Sequence, residues 1–179
     1  MALTKISEQS VTGTTGVEIN GIDSTYKLYK IEYINVNPAA SSGSTYLEFQ
    51  VNQSGGSGWN EQVVATFVKA EHYVGGANGF GYDSGVDTQG TTFIKIFQGP
   101  GPGATENVSG ELYLFNPSNT TYVKHWWTIN NGIYGPYSNR GTTNPYLGGY
   151  FDTTAAIDEV RFKMSDDGNF DGYFALWGL

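Results

Sequence analysis

The feature of this sequence that most restricts its fold is a strict alternation of side chains along residues 46–53. Leu47, Phe49 and Val51 fall on one side of an extended chain, while the residues between them are polar. A period of two is typical of a strand in an antiparallel sheet, with one face in a core and the other in water. The segment therefore predicts a half-buried β-strand.

Similar apolar and aromatic segments recur along the chain, separated by loops that are rich in glycine and proline. Residues 60–73 also show helical spacing, but they contain four β-branched residues, which lose side-chain freedom in a helix, so a strand is favoured. Residues 75–90 and 130–150 are predicted to be irregular, because glycines and tyrosines without alternation fill them. Strands are predicted over residues 25–36, 46–53, 60–73, 91–98, 110–116, 122–129, 156–164 and 173–177.

These segments predict both the strand pairing and the fold class. Three antiparallel pairs are expected, namely 25–36 with 46–53, 110–116 with 122–129, and 156–164 with 173–177. Seven or eight strands at this spacing, with no alternation of strands and helices, are typical of a sandwich and argue against a parallel sheet. We predict an all-β protein, an antiparallel β-sandwich or jelly-roll-like single domain over residues 17–179, preceded by a short extended N-terminal arm over residues 1–16.

The N-terminal arm is polar and shows no helical pattern. It could be a frayed terminus, since chain ends are often poorly ordered. It could also be an arm that becomes ordered only against another subunit. Ile6 and Val11 are the candidate contacts of the arm, because a flexible tail would leave both side chains without cover.

The composition excludes several classes of function. The chain has 17 acidic and 9 basic residues, a net charge of −8, so the backbone of a nucleic acid and an anionic membrane would both repel it. Cysteine is absent, which excludes disulfides, thiolate metal sites and thiol catalysis. No apolar run approaches the ~20 residues of a membrane span, and the first residues lack the apolar core of a signal peptide. We therefore expect a protein made in the cytoplasm, with no nucleic-acid partner and no membrane insertion.

The sequence offers little for catalysis, and we predict that the protein is not an enzyme and has no cofactor. Its histidines are His72 and His125, both in predicted strands, and His125 is expected to be structural. The motifs of serine hydrolases, nucleotide-binding loops and zinc peptidases are absent. Residues 167–172 match the first half of a calcium loop, but position twelve is Gly178, so a hairpin turn is favoured. The acidic residues could still supply a glycosidase pair, which spacing alone does not identify.

The remaining signal is the aromatic content, which reaches 15% of the chain. The adjacent Trp126 and Trp127 point to opposite faces of their predicted strand, so at least one of them leaves the core. Exposed rings can anchor protein interfaces or stack on sugars, and simple partial burial is a third interpretation. The candidates for interface or glycan contact are Trp59, Trp126, Tyr134, Tyr137, Tyr146 and Tyr150.

Over about residues 20–179 the sequence also resembles a known family. Residues 110–124 combine a Gly-Glu-Leu strand, an Asn-Pro turn and a Tyr-x-Lys ending, and Trp177 stands where relatives more often have tyrosine. The matching segments are 25–33 (TYKLYKIEY), 47–51 (LEFQV), 110–124 (GELYLFNPSNTTYVK), 153–162 (TTAAIDEVRF), 168–172 (GNFDG) and 176–179 (LWGL). In these segments the chain resembles β-sandwich virion structural proteins of tailed bacteriophages, including cyanophages.

The resemblance implies a non-enzymatic virion structural protein on the particle surface, either a capsid decoration (cement) protein or a tail-fibre-type subunit. By analogy it would form a homo-oligomer, with a homotrimer expected. Its partners would be other capsid or tail proteins, bound through the N-terminal arm and the aromatic loops. The alternative is an adhesin module that binds a polysaccharide of the host surface. The resemblance carries no catalytic residues across.

Overall fold

The computed structural model describes residues 2–39, 45–100, 103–134 and 140–179, and within these ranges it contains strands and no helix. The predicted all-β class is therefore confirmed. The described part of the chain has no helix with the length and hydropathy of a membrane span. The described strands are β1 (Thr4–Thr14), β2 (Val17–Asn20), β3 (Leu28–Pro38), β4 (Tyr46–Gln53), β5 (Val63–Tyr73), β6 (Asn78–Tyr82), β7 (Thr88–Gly90), β8 (Ile94–Gln98), β9 (Val108–Phe115), β10 (Lys124–Tyr134), β11 (Gly141–Phe151), β12 (Ile157–Met164) and β13 (Phe170–Gly178).

The strands form two antiparallel sheets that pack against each other as a β-sandwich. The large sheet has the order β1-β13-β3-β9-β10-β11-β5-β6, and β7 also pairs with β5. The small sheet has the order β2-β12-β4-β8. The predicted single sandwich domain is confirmed at this level.

Aromatic side chains from both sheets meet in the core. The ring of Phe49, on the small sheet, lies edge-to-face against Trp126 of the large sheet, with centroids 5.0 Å apart. Phe162 of the small sheet contacts Phe174 of the large sheet at 5.3 Å. The apolar face predicted for residues 46–53 is the buried one, since Phe49 is fully buried.

Several predicted elements are confirmed. β4 has the predicted bounds, and β5 shows that residues 63–73 form a strand despite their helical spacing. β9 and β10 pair across the predicted turn, with Leu114 opposite Trp126. At this turn Asn116 has a φ of 47°, a left-handed conformation that asparagine tolerates better than most residues.

Two of the three predicted pairs are wrong. β3 pairs with β9 and β13 in the large sheet, whereas β4 pairs with β8 and β12 in the small sheet. In the same way β12 and β13 are consecutive in the chain but lie in different sheets. The alternation of side chains determines which side of a strand is buried, but it does not determine which strand pairs with it. Two strands that are consecutive in the chain but belong to different sheets therefore resemble a hairpin in the sequence.

The two segments predicted to be irregular contain strands. Residues 75–90 include β6 and β7, and residues 130–150 include the end of β10 and most of β11. Gly149 made β11 look like a loop in the sequence, but the glycine is required by packing. A Cβ at this position would lie 2.9 Å from the ring of Trp126 and 2.4 Å from the Val64 carbonyl oxygen. Pro145 is tolerated where the pairing of β10 with β11 is interrupted, and its carbonyl accepts a bond of 3.3 Å from Asn130 Nδ2.

The predicted N-terminal arm is a strand of the sandwich. β1 runs antiparallel to β13 of the same chain, with Lys5 opposite Trp177. Asp171 Oδ1 accepts a hydrogen bond of 2.8 Å from the Gly13 backbone N–H. The segment is therefore paired within its own chain, while its role as an arm and the division of the chain after residue 16 stay predictions.

Candidate functional site

The outer side of the large sheet carries a row of aromatic and aliphatic side chains on β9, β10 and β11. We call this surface the outer aromatic face and define it by Tyr113, Trp127, Ile129, Tyr146 and Tyr150. Strand register places them together, because Trp127 lies opposite Tyr113, and Ile129 lies opposite Tyr146. Tyr146 is 47% exposed and Ile129 is 37% exposed, so water covers apolar area that a partner could bury.

A stacked pair of rings lies near the middle of the outer aromatic face. The rings of Tyr113 and Trp127 are 4.3 Å apart between centroids, and their planes differ by 8°. On the other side of Trp127 the facing residue of β11 is Gly148, which has no side chain. The indole is therefore covered by Tyr113 on one side and left open towards β11.

Charged residues on β3 and β9 hold one edge of this face in place. Lys30 Nζ lies 2.7 Å from Glu32 Oε1 and 2.8 Å from Glu111 Oε1. Glu111 also accepts a hydrogen bond of 2.8 Å from the Tyr113 hydroxyl, and Glu32 accepts one of 2.9 Å from Trp177 Nε1. Desolvation lowers the pKa of Lys30, but the bonds to Glu111 and Glu32 outweigh it and raise that pKa above its usual range. The hydrogen bond to Glu111, which Lys30 holds in turn, fixes the ring of Tyr113.

A groove of about 410 Å³ extends the outer aromatic face towards β3. Ile34 and Ile129 line it, together with the polar side chains of Glu111 and Asn131. Ile34 is 41% exposed and stands at an irregularity in the pairing of β3 with β9, where Asn35 has a φ of 53°. Exposed apolar area therefore crosses four neighbouring strands.

The structure brings only some of the predicted contact residues together. Tyr146 and Tyr150 belong to the outer aromatic face, on a strand and not on a loop. Trp126 is wrong as a surface contact, because it is 2% exposed and packs in the core. Trp127 is not among the contact residues predicted from the sequence, although the opposite orientation of the two adjacent indoles predicted that one of them would lie outside the core.

The other predicted contacts are scattered. Tyr134 is half-buried at the end of β10, where its ring lies 6.1 Å from that of Tyr73. Trp59 is half-buried in the loop before β5. Ile6 is exposed on β1, and Val11 packs partly against the core. Tyr137 lies outside the described residues.

The predicted turn and histidines offer no assembled chemical centre. Asp167 Oδ1 lies 2.7 Å from Lys163 Nζ, and this hydrogen bond lowers the pKa of the carboxyl. Among the described residues, no group of three or more histidine, aspartate or glutamate side chains could hold a metal ion. His125, expected to be structural, is exposed on β10, with its ring 6.1 Å from that of Tyr150.

No family model matches the chain, and no curated protein matches it. The outer aromatic face can exclude water, stack on planar or pyranose partners and offer hydrogen bonds at its rim. These are the properties of a binding surface.

Proposed function

We propose that the protein is a non-enzymatic structural protein on the surface of a tailed-phage particle, a capsid decoration (cement) or tail-fibre-type subunit. In this proposal it attaches to another virion protein, or to copies of itself in a homotrimer, through the outer aromatic face. The observation that carries the proposal is the exposed apolar area around Trp127, to which Ile34, Ile129 and Tyr146 contribute. Such area on one side of a sheet is typical of protein interfaces.

The construction of the face supports an assembly role. Its side chains stand on paired strands, so little conformational entropy would be lost when a partner binds. Aromatic residues are enriched at the centres of interfaces, and the Lys30, Glu32 and Glu111 network gives a polar rim. β1 adds a second contact zone, because it stands at one end of the large sheet. The N-terminal segment thus keeps a part in the proposed assembly as an edge strand.

A binding assay on phage particles that lack the protein tests this proposal. We expect saturable binding of the labelled wild type and its loss in the double variant Ile129→Glu with Tyr146→Glu, because two charges would have to be buried. Asn20→Glu, on an exposed position of the small sheet, adds charge elsewhere and should bind like the wild type. Equal binding of all three proteins, or none by the wild type, would refute the proposal.

A host-glycan-binding adhesin is the second candidate function. The stacked Tyr113 and Trp127 rings favour it, because an indole with one open side can lie against the apolar face of a sugar. Binding to host cell envelopes that disappears after the polysaccharide is stripped would support the adhesin. Binding to particles alone would support the structural protein.

A further inference from the structure

β6 forms one end of the large sheet, and within the described ranges no strand pairs with its outer edge. Phe80, in the middle of β6, is 79% exposed, and Val74, in the turn before it, is 86% exposed. Residues 74–82 contain no charged side chain, although the whole chain has a net charge of −8. Natural sheets usually protect such an edge with charges, proline or irregular pairing. β6 has none of these protections.

The backbone of β6 offers a row of hydrogen-bonding groups on its outer edge. The Tyr73 backbone N–H donates to the Ala77 carbonyl oxygen at 2.8 Å, in the same register as the pairing of β5 with β6. In an antiparallel ladder, residues that bond the neighbouring strand alternate with residues whose backbone groups point away from it. The N–H and carbonyl groups of Asn78, Phe80 and Tyr82 therefore point away from β5. An extended strand matches this row of donors and acceptors.

The opposite end of the large sheet, β1, is built differently. Its pairing with β13 is irregular between Lys5 and Ser7 and again between Val11 and Thr14. It also carries charges, since Lys5 Nζ lies 2.9 Å from Glu8 Oε2. Irregular pairing and charged side chains both hinder the addition of an identical strand. Of the two ends of the large sheet, β6 is therefore the one suited to accept another strand.

Two glycines of β6, Gly79 and Gly81, are not required by packing within the described part of the chain. Neither has a positive φ. A Cβ at Gly81 would meet no atom within 4 Å, and a Cβ at Gly79 would meet none closer than 3.8 Å. Glycine weakens the interior of a strand, and it often marks a place where another backbone approaches closely. The two glycines therefore indicate a close neighbour on the open side of β6.

The sequence of β6 is symmetric about Phe80 in the features that pairing requires. In an antiparallel pair of two copies of β6, Phe80 lies opposite Phe80 of the second copy, and Asn78 lies opposite Tyr82. All three positions have outward backbone groups, so the pair can form about six hydrogen bonds. Gly79 then lies opposite Gly81 in the closer type of pair, whose Cα atoms are only about 4.5 Å apart. The absence of charge lets two copies of an acidic chain approach each other here.

We propose that two copies of the protein associate through β6, antiparallel about a two-fold axis at Phe80. The two large sheets then form one continuous sheet. Tyr82 lies on the same side as the outer aromatic face, because it is opposite Val68, which is opposite Tyr146. The dimer therefore places both outer aromatic faces on one side. This association requires only the edge of β6 and does not depend on the proposed attachment to a phage particle.

Disulfide trapping tests the register, because the chain has no cysteine of its own. In the dimer, Asn78 and Tyr82 of different copies have Cα atoms about 5.5 Å apart, which a disulfide can bridge. Two copies of the same position lie about 14 Å apart, which is too far. After mild oxidation at high protein concentration, an equimolar mixture of Asn78→Cys and Tyr82→Cys should therefore give at least about fivefold more covalent dimer than either variant alone.

Sedimentation equilibrium gives a second measurement. It uses the double variant Ile129→Glu with Tyr146→Glu, so that the outer aromatic face does not contribute to association. This protein should still form dimers as its concentration rises. Adding Phe80→Lys should leave single chains, because two lysines would meet at the two-fold axis. Adding Ser10→Lys, at an exposed position of β1, is the matched control and should leave the dimer intact.

Three results would overturn the proposal, provided that thermal unfolding shows the variants to be folded. The first is a mixture of the two cysteine variants that cross-links no more than either variant alone. The second is a double variant of the outer aromatic face that stays a single chain at every concentration. The third is a dimer that persists with Phe80→Lys. Failure of the wild type to bind particles would refute the proposed function and leave these measurements unchanged.

Discussion

The two sheets differ in how far the apolar side chains on their outer faces are covered by other side chains. On the small sheet, lysine side chains cover the rings: Lys95 Nζ lies 4.6 Å from the centroid of Tyr46, and Lys163 Nζ lies 4.9 Å from that of Phe93. On the large sheet Lys30 Nζ lies 5.9 Å from the centroid of Tyr113, on which Trp127 is stacked, but Ile129 and Tyr146 face water. The small sheet therefore covers its own apolar area, whereas the large sheet leaves area for a partner.

The largest expected loss of stability comes from a core substitution, which tests whether the outer side of each sheet is correctly assigned. Phe49→Ala should lower the free energy of unfolding by about 3–5 kcal/mol, because it leaves a cavity between the sheets. Phe80→Ala is the control, since Phe80 is 79% exposed and should change stability little. Chemical denaturation measures both. A loss below about 1 kcal/mol for Phe49→Ala would mean that the small sheet faces the other way.

Two adjacent glycines of β11 test how closely the core lies behind the outer aromatic face. Gly149→Ala should cost about 1–3 kcal/mol, since its Cβ would meet the Val64 carbonyl oxygen at 2.4 Å and overpack the core. Gly148→Ala is the matched control, because its nearest neighbours lie at 3.8 Å and beyond. Thermal unfolding compares the two variants. Equal losses would contradict the placement of the Trp126 ring.

The small sheet should also respond to pH, because its outer face covers a carboxyl group. Desolvation raises the pKa of Glu48 to about 7, despite the neighbouring Lys163 and Lys95. The folded state then holds this proton more tightly than the unfolded state, whose pKa is near 4.5. The contribution of Glu48 to stability is therefore greatest below pH 4.5 and is lost as the pH rises towards 7.

Glu48→Gln measures that contribution. The variant should be more stable than the wild type at pH 8, by about 1–3 kcal/mol, and should lack this part of the pH dependence. Denaturant unfolding from pH 4 to 8 checks the prediction. An unchanged profile for Glu48→Gln would show that this carboxyl group is well solvated.

The smallest expected effect on stability concerns Trp127. This residue lies on the outer face that leaves apolar area exposed, so it should be important for binding. Trp127→Ala should cost only about 1 kcal/mol of stability, since it loses a half-exposed stacked pair, but particle binding should fall by more than about 30-fold, as at an interface hot spot. Trp59→Ala, in the loop before β5, should retain binding. If Trp127→Ala bound particles like the wild type, the outer face of the large sheet would not be the binding surface that distinguishes it from the small sheet.

Much of the local structure was predictable from the sequence. β4 has the expected bounds, and the β-branched residues of β5 correctly favoured a strand over a helix. β11 was not predictable in this way, because Gly149 makes room for the Trp126 ring and Pro145 occupies an interruption in the pairing with β10. Both residues normally indicate a loop, and their tolerance depends on neighbours distant in the chain.

The candidate surface was predictable in kind but not in detail. Adjacent tryptophans must point to opposite faces of a strand, so the sequence predicted one indole outside the core. Only the packing of Trp126 against Phe49 shows that Trp127 is the outer one. The contact between the start of β10 and the segment before β12 could not be predicted, because Lys124 Nζ donates to the Thr153 carbonyl oxygen, 29 residues away in the chain.

By itself, the sequence determined the all-β class and, for segments such as residues 46–53, which side chains face the core. Side-chain alternation is a local property of an extended chain and needs no knowledge of partners. Only the tertiary structure decided that β3 and β4 belong to different sheets and that β1 pairs with β13. It also decided which aromatic rings remain exposed. The physical reason is that strand partners are selected by the packing of the whole sandwich, so both pairing and exposure depend on contacts between distant residues.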